Sequence, residues 1–209
     1  MDFTRLDKTI LFSDVFSNPD DVVRYANSLE FVLVSENYAG ARTENLKKIN
    51  KGLYDQIGNL ILGQLIDFDV YDVSFDALIH FQKVKPNGMS GGFIHIDELP
   101  YIFLCYLTKE DQTCGTDIWR LDDHDGLIDF QTKNQSLIEQ RYTNDNIGAL
   151  SALRDLQQSF HTKVGSSSGA YNTGIAFNGK INPHSAVYGP KSERLTLVAF
   201  FEKINISRK

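Results

Sequence analysis

Gly92-Phe93-Ile94-His95-Ile96-Asp97 lies near the middle of the chain, and the rest of the sequence takes its meaning from it. The stretch is apolar apart from one imidazole and one carboxylate, two residues apart. In an extended strand, side chains at i and i+2 point to the same face, so His95 and Asp97 project together. A carboxylate kept inside an apolar strand is expensive to bury without a partner. A second imidazole, His184, stands 87 residues beyond Asp97, and Arg194 follows it by 10. Two histidines and one carboxylate make a ligand set that suits a divalent iron and leaves coordination positions open.

Working outward from that stretch, the flanking sequence reads as β. Phe75, Ala77, Ile79 and Phe81 alternate with Asp76, Leu78, His80 and Gln82, the period of a strand. Pro86-Asn87-Gly88 ends the run as a turn. Tyr101 to Leu107 is a continuous apolar strand, and Gly115 to Arg120 a shorter one. Near the end come Gly174 to Phe177, an Asn178-Gly179 hairpin turn, Lys180-Ile181, Ser185 to Tyr188, and Arg194 to Glu202. In the last of these, Arg194, Thr196, Val198 and Phe200 share one face, and Leu195, Leu197, Ala199 and Phe201 the other.

Helices precede and interrupt the strands. Asn18 is placed to cap a helix over about residues 19–29, with Pro19 at its first position and Asp20 and Asp21 at the positive end of its dipole. Val22, Val23, Ala26 and Leu29 give it an apolar stripe. Leu46, Ile49, Leu53, Ile57, Leu60, Ile61 and Leu65 predict one long helix over about 44–66. Its Gly52, Gly58 and Gly63 suit close packing on a sheet. A further helix near 143–161 is carried by Ile147, Leu150, Leu153, Leu156 and Phe160. The acidic run Asp122 to Gly126 opens the least regular part. Segments 83–94 and 120–172 are expected to wall an entrance, with Tyr142, Tyr171 and a hinge-like loop from Gly165 to Gly169. Helices first and many short strands afterwards point to an antiparallel sandwich or barrel. The expectation is one domain over 1–209, with a helical buttress over about 1–68 and a β core over 69–209.

Composition narrows the classes of function. A chain of 209 residues can bury one substantial core. A net charge of −6 argues against a broad nucleic-acid footprint, though not against a local basic groove. Only Cys105 and Cys114 are present, with no C-x-x-C spacing and no disulfide framework. Met1 to Arg5 lacks the layout of a signal peptide, and no apolar run approaches the ~18 residues of a membrane span. These features place the protein in a reducing cytoplasm.

Other motifs carry less. Gly174 to Lys180 nearly spells a P-loop, but Ile181 stands where a Mg²⁺-binding hydroxyl belongs and no helical pattern follows. An EF-hand built on Gly126 would put Leu121 and Thr132 at ligand positions. His80 reads as a core histidine with its hydrogen bonds satisfied in preference to a pocket wall. His161 reads as a favourable charge at a helix C-terminus. Neither cysteine looks like an activated nucleophile.

His95, Asp97, His184, Arg194 and Thr196 together resemble the 2-oxoglutarate/Fe(II)-dependent dioxygenase superfamily, most closely its prolyl-4-hydroxylase-like branch. The shared pattern is H-x-D, a distal His, and a basic residue about ten positions later in an R-x-S/T context. It covers about residues 75–202, with the Asn18-Pro19 helix as an N-terminal buttress and Gly115-Thr116 on a mid-barrel strand. The resemblance implies a double-stranded β-helix (jelly-roll) core with flanking helices. It also implies Fe(II) on His95, Asp97 and His184, with 2-oxoglutarate and O2 in the open positions and ascorbate in support. Arg194 would hold the co-substrate's C5 carboxylate, with Thr196 beside it and Tyr106 as a weaker contact. Gln82 is a candidate for the C1 end. The implied activity is hydroxylation with release of succinate and CO2. Two rivals stand beside it, a cupin-like metalloprotein that does not use 2-oxoglutarate and a non-catalytic binding module on the same barrel. The substrate, whether a small molecule or a peptidyl side chain, and the oligomeric state are not legible.

Overall fold

Alternation along the last strand sorts the molecule into two interiors. In the computed structural model, which describes residues 8–33, 40–85, 91–109, 114–122, 127–144, 147–187 and 193–209, the elements run as follows. They are β1 (Ile10–Phe12), α1 (Pro19–Asn27), β2 (Val32–Leu33), β3 (Ala41–Arg42), α2 (Leu46–Ile49), α3 (Lys51–Gly63) and β4 (Tyr71–Val84). Next are β5 (Tyr101–Tyr106), β6 (Gly115–Leu121), α4 (Leu127–Asn144), α5 (Ile147–Phe160), β7 (His161–Ser167), β8 (Thr173–Asn178), β9 (His184–Val187) and β10 (Arg194–Arg208). The large antiparallel sheet has the order β1-β8-β5-β10-β4-β3-β2, and a smaller one the order β7-β6-β9. Residues 91–97 extend the smaller sheet along β9 through bridges Gly91–Val187 and His95–His184. The chain passes back and forth between the two sheets, as a jelly roll requires.

The outer face of the large sheet carries Ala77, Ile79, Phe81, Phe103, Cys105, Leu195, Leu197, Ala199 and Phe201, all buried. They form one cluster with Ala26, Tyr54, Ile57, Ile61 and Leu62 of α1 and α3. Removing this apolar area from water, at about 25 cal/mol per Å², seats the helices. Tyr54 pins the contact: its hydroxyl oxygen accepts a hydrogen bond from the Ala77 N–H of β4 at 2.9 Å. Gly58 is needed there, since a Cβ would fall 1.9 Å from the Phe75 ring. The inner face carries Ile102, Tyr106, Ile175 and Phe177, clustered with Ile118 of β6.

Several local expectations are corrected. The helix expected over 44–66 breaks at Asn50, whose non-helical backbone (φ −155°) and side chain cap α3 by accepting from Leu53 N–H. Asn18 makes no side-chain cap on α1. The segment expected as a hinge-like loop from Gly165 to Gly169 is strand over its first three residues: Gly165 to Ser167 belong to β7, where Ser166 Oγ donates to Asp117 and Ser167 Oγ accepts from Thr116 N–H. Asn178-Gly179 does not close a hairpin, since β8 and β9 belong to different sheets. The insertion is two helices, α4 beginning at Leu127, where the polar run Gln131 to Ser136 carries no apolar stripe to announce it. Tyr171 turns away toward α1, donating its hydroxyl to Asp20, and Tyr142 lies outside the described side chains.

Candidate metal centre

His95 and His184 face each other as a bridged pair. His95 N–H donates to the His184 carbonyl at 3.0 Å, and His184 N–H donates back at 2.8 Å. Residues paired this way point to the same side of a sheet, and the ring centroids are 4.4 Å apart. Asp97 lies two residues along, its N–H donating to Gly179 at 2.9 Å. Gly179 leaves little room for a side chain at this point: a Cβ would fall 2.3 Å from Ile102 Cδ1, 3.0 Å from the Leu99 carbonyl oxygen and 3.1 Å from Asp97 Cβ.

The segment that carries His95 and Asp97 is not a regular strand, contrary to the alternation expected of it. One edge pairs with β9. The other is held by Gln157 of α5, whose Oε1 accepts from Ile94 N–H at 2.6 Å and whose Nε2 donates to the Ile94 carbonyl at 2.8 Å. One side-chain amide thus takes the place of a neighbouring strand's peptide group.

The imidazoles are oriented for ligation. Nδ1 of His95 contacts the Phe93 carbonyl at 3.1 Å, and Nδ1 of His184 the Asn182 carbonyl at 3.0 Å. A carbonyl can only accept, so each Nδ1 carries the proton and each Nε2 is directed to the common point. His184 Nε2 lies 3.1 Å from Asp97 Oδ2, and His95 Nε2 lies 3.8 Å from Oδ1. Two facial ligands at metal–ligand bonds of about 2.1 Å would sit about 3.0 Å apart. The three donor groups therefore fit one small divalent ion with little movement, and they form the cluster suited to a metal among the described residues. Burial pushes the Asp97 carboxyl up, but a hydrogen bond from His184 and the charges of His184 and His95 when these imidazoles are protonated, with that of Arg42, bring it below the ordinary value. It is a carboxylate, ready to ligate.

Behind the triad, the inner face of the large sheet is arranged in rows. Thr196 lies between Gln82 of β4 and Tyr106 of β5, and Val198 between His80 and Leu104. Arg194 is buried at 6% exposure, with its guanidinium carbon 5.3 Å from the Tyr106 ring centroid. Glu193 is turned toward Lys83 at 3.7 Å. The Tyr106 hydroxyl spans to the smaller sheet, donating to Thr116 Oγ1 at 2.8 Å and bonding Ser167 Oγ at 2.5 Å. His80 is buried, as expected of a core histidine, but its Nε2 has no hydrogen-bond partner among the described residues, contrary to the expectation that its hydrogen bonds are satisfied. Desolvation, with the Arg42 charge adding to it, pushes its pKa down to about 3, so it is neutral. Burial likewise pushes the Cys105 thiol up, which makes it inert. His161 meets its expectation in part, with Nδ1 donating to the Gln157 carbonyl at 2.7 Å at the end of α5. No helix among the described residues is long and apolar enough to cross a membrane.

No family profile and no curated protein matches this sequence. Solved structures do. The chain is similar to a prolyl hydroxylase of Trichoplax adhaerens in complex with a hypoxia inducible factor peptide fragment (TM-score 0.56, 14% identity, 95% of this chain and 85% of that one). It is similar to a Pseudomonas putida prolyl-4-hydroxylase (TM-score 0.53, 12% identity, 97% and 96%). It is also similar to HygX of Streptomyces hygroscopicus with nickel and 2-oxoglutarate bound (TM-score 0.59, 10% identity, 95% and 84%). The chain has the fold of the 2-oxoglutarate/Fe(II) oxygenases. At such identities the likeness speaks for the oxygenase fold alone, and the case for chemistry rests on this chain's own side chains.

Two residues of the site escaped sequence reasoning. Gln157 contacts a segment 63 residues away and carries no motif. Arg42 sits on a two-residue strand paired with Gln82, too short to leave a periodic signal.

Proposed function

We propose that this protein is an Fe(II)- and 2-oxoglutarate-dependent dioxygenase, a hydroxylase formed by a single domain of the cytoplasm. The observation that carries the proposal is the meeting of His95, Asp97 and His184 within 4.8 Å of one another, beside a buried arginine on the same barrel interior. Bound iron, with 2-oxoglutarate and O2, supplies the oxidation: one oxygen atom goes into a substrate C–H bond as the co-substrate is cleaved to succinate and CO2.

The chain's own residues bind, orient and exclude water. His95 and His184 present Nε2 because Phe93 and Asn182 hold their Nδ1 protons. Arg194 takes the C5 carboxylate through its planar fork, and Thr196 adds a hydroxyl in the adjoining row. Tyr106 contributes chiefly its ring beneath the guanidinium, since its hydroxyl is engaged by Thr116 and Ser167. Gln82 is assigned to the C1 end. Ile102, Ile118, Ile175 and Phe177 keep the interior dry, which strengthens each charged contact inside it. The substrate is a small molecule or a peptidyl side chain.

The test is succinate formation by the purified protein. It is expected to require Fe(II) and O2, to be supported by ascorbate, to be suppressed by N-oxalylglycine and to disappear in Asp97→Ala. No succinate from a protein with its metal site filled would favour the non-catalytic module.

A further inference from the structure

One polar ring is buried in the barrel interior, in a row of side chains that is otherwise apolar. We propose that His80 is a co-substrate-binding residue, its Nε2–H donating to the C1 carboxylate of 2-oxoglutarate. The proposal rests on the dioxygenase reading above and adds to it a residue at the metal end of the co-substrate.

Register places the ring. On the inner face of the large sheet, successive rows lie two residues, about 6.6 Å, apart along each strand. Thr196 shares its row with Gln82 and Tyr106, and the Arg194 guanidinium carbon lies 5.3 Å from the Tyr106 ring centroid. Phe200, four residues along β10, shares its row with Ile102 and Phe177, and the Phe177 ring lies 4.6 Å from that of His184. Arg194 therefore serves one end of the interior and the metal triad the other. His80 pairs with Val198, in the row between them, and its ring lies 6.0 Å from that of Phe200. A dicarboxylate with one end on Arg194 and the other on the metal has to cross the row of His80. Its C1 carboxylate would then lie beyond Gln82, toward the triad. One charge, that of Arg42, bears on both His80 and Asp97, in keeping with a ring near the triad end.

The ring itself asks for a polar ligand. His80 is 6% exposed, and its Nε2 has no hydrogen-bond partner among the described residues. Buried polar atoms are nearly always satisfied. Val198 beside it is buried and apolar, so an aliphatic side chain at position 80 would fill the row without stranding a polar atom. Burial, with the Arg42 charge adding to it, keeps the imidazole neutral. A neutral imidazole has one N–H, which Nε2 can carry, and a carboxylate oxygen can only accept it. The unfilled site thus holds no uncompensated imidazolium at this point, and the filled site gains a donor for an oxygen at the metal end.

The experiment loads the full chain with Zn(II) and compares 2-oxoglutarate with 4-oxopentanoate, which keeps the keto group and the distal carboxylate and has a methyl group in place of the C1 carboxylate. Affinities are measured by ligand-observed NMR. His80→Leu is expected to weaken 2-oxoglutarate about tenfold or more, at least about 1.4 kcal/mol, and to leave 4-oxopentanoate unchanged. His80→Gln, which restores an N–H donor, is expected to recover part of the loss. In the wild type, the 15N resonance of His80 Nε2 is expected to shift on adding 2-oxoglutarate and to stay in place on adding 4-oxopentanoate. Equal losses for the two ligands in His80→Leu would show a structural role and overturn the proposal. So would unchanged 2-oxoglutarate affinity, or a His80 Nε2 signal in the wild type that ignores 2-oxoglutarate, the last of these deciding even if both variants fail to fold. Failure of the wild type to take up Zn(II), or of the loaded protein to bind 2-oxoglutarate, overturns the dioxygenase reading together with the proposal built on it.

Discussion

Replacing Gln157 by leucine tests how the segment that carries His95 and Asp97 is held. Leucine is near in size and lacks the amide, so the change removes both bonds to Ile94, at 2.6 and 2.8 Å, and a third to Asn134 at 3.0 Å. A typical hydrogen bond contributes about 0.5–1.5 kcal/mol net, whereas a buried group left unsatisfied costs about 1–3 kcal/mol. Ile94 is 5% exposed and Gln157 2%, so the stranded N–H and C=O of Ile94 cannot turn to water without moving the segment. A loss of about 3 kcal/mol follows, which for a chain of this size lowers Tm by roughly 6–12 °C. His95 adjoins Ile94, so metal affinity is expected to fall about 10- to 100-fold, as it does when partners of metal ligands are removed. Gln157→Glu refines the test. Its carboxylate would face the Ile94 carbonyl, raising the carboxyl pKa in the folded state above its unfolded value. Stability linked to that proton is present at low pH and lost as pH rises through the folded pKa, so this variant recovers on acidification and the leucine variant does not. The assays are thermal melting of the metal-free protein and competition for Zn(II) with a chromophoric chelator. A leucine variant that melts with the wild type and binds Zn(II) within about twofold of it would refute the clamp, given the tenfold minimum expected.

Arg194→Ala is expected to weaken 2-oxoglutarate binding by about two to three orders of magnitude, the cost of leaving one member of a buried ion pair unmatched. Arg194→Lys is milder and metal affinity is unchanged, both measured by calorimetry. Tyr106→Phe strands the Thr116 and Ser167 hydroxyls between the sheets and is expected to lower stability by about 1–3 kcal/mol in urea. His80, held neutral down to about pH 3, takes up its proton on unfolding at about 6.5. Its contribution is therefore complete above that pH and declines as pH falls toward 3, by up to about 1.4 kcal/mol per pH unit. His80→Leu should flatten the acid limb of a stability–pH curve by that slope. Zn(II) at a hundred times its Kd should stabilise the wild type by about 2.7 kcal/mol, a thermal shift that Asp97→Ala removes.

Local chemistry was legible wherever it depended on period. The alternation of β4 and β10 follows from a side-chain repeat of two, and it assigned Arg194, Thr196, Val198 and Phe200 to one face and the helix-packing residues to the other. The i, i+2 spacing of His95 and Asp97 likewise put two candidate ligands on one side. Features that depend on partners distant in sequence were not legible. An Asn-Gly turn looks the same whether the strands it joins pair or part, and here they part into two sheets. The serines after Gly165 read as loop because their strand is stabilised by Asp117, Thr116 and Tyr106, 49 to 61 residues away in sequence. Asn50 broke a helix that its apolar spacing favoured, because its side chain caps the next one. Gln157 and Arg42 became visible only when folding brought α5 against residues 91–97 and β3 against β4. Sequence by itself determined which residues can ligate and which face they occupy, since that is set by backbone period and donor chemistry. Tertiary structure alone decided how the ligands are held and what else lines the interior, since hydrogen bonds between distant segments leave no period to read.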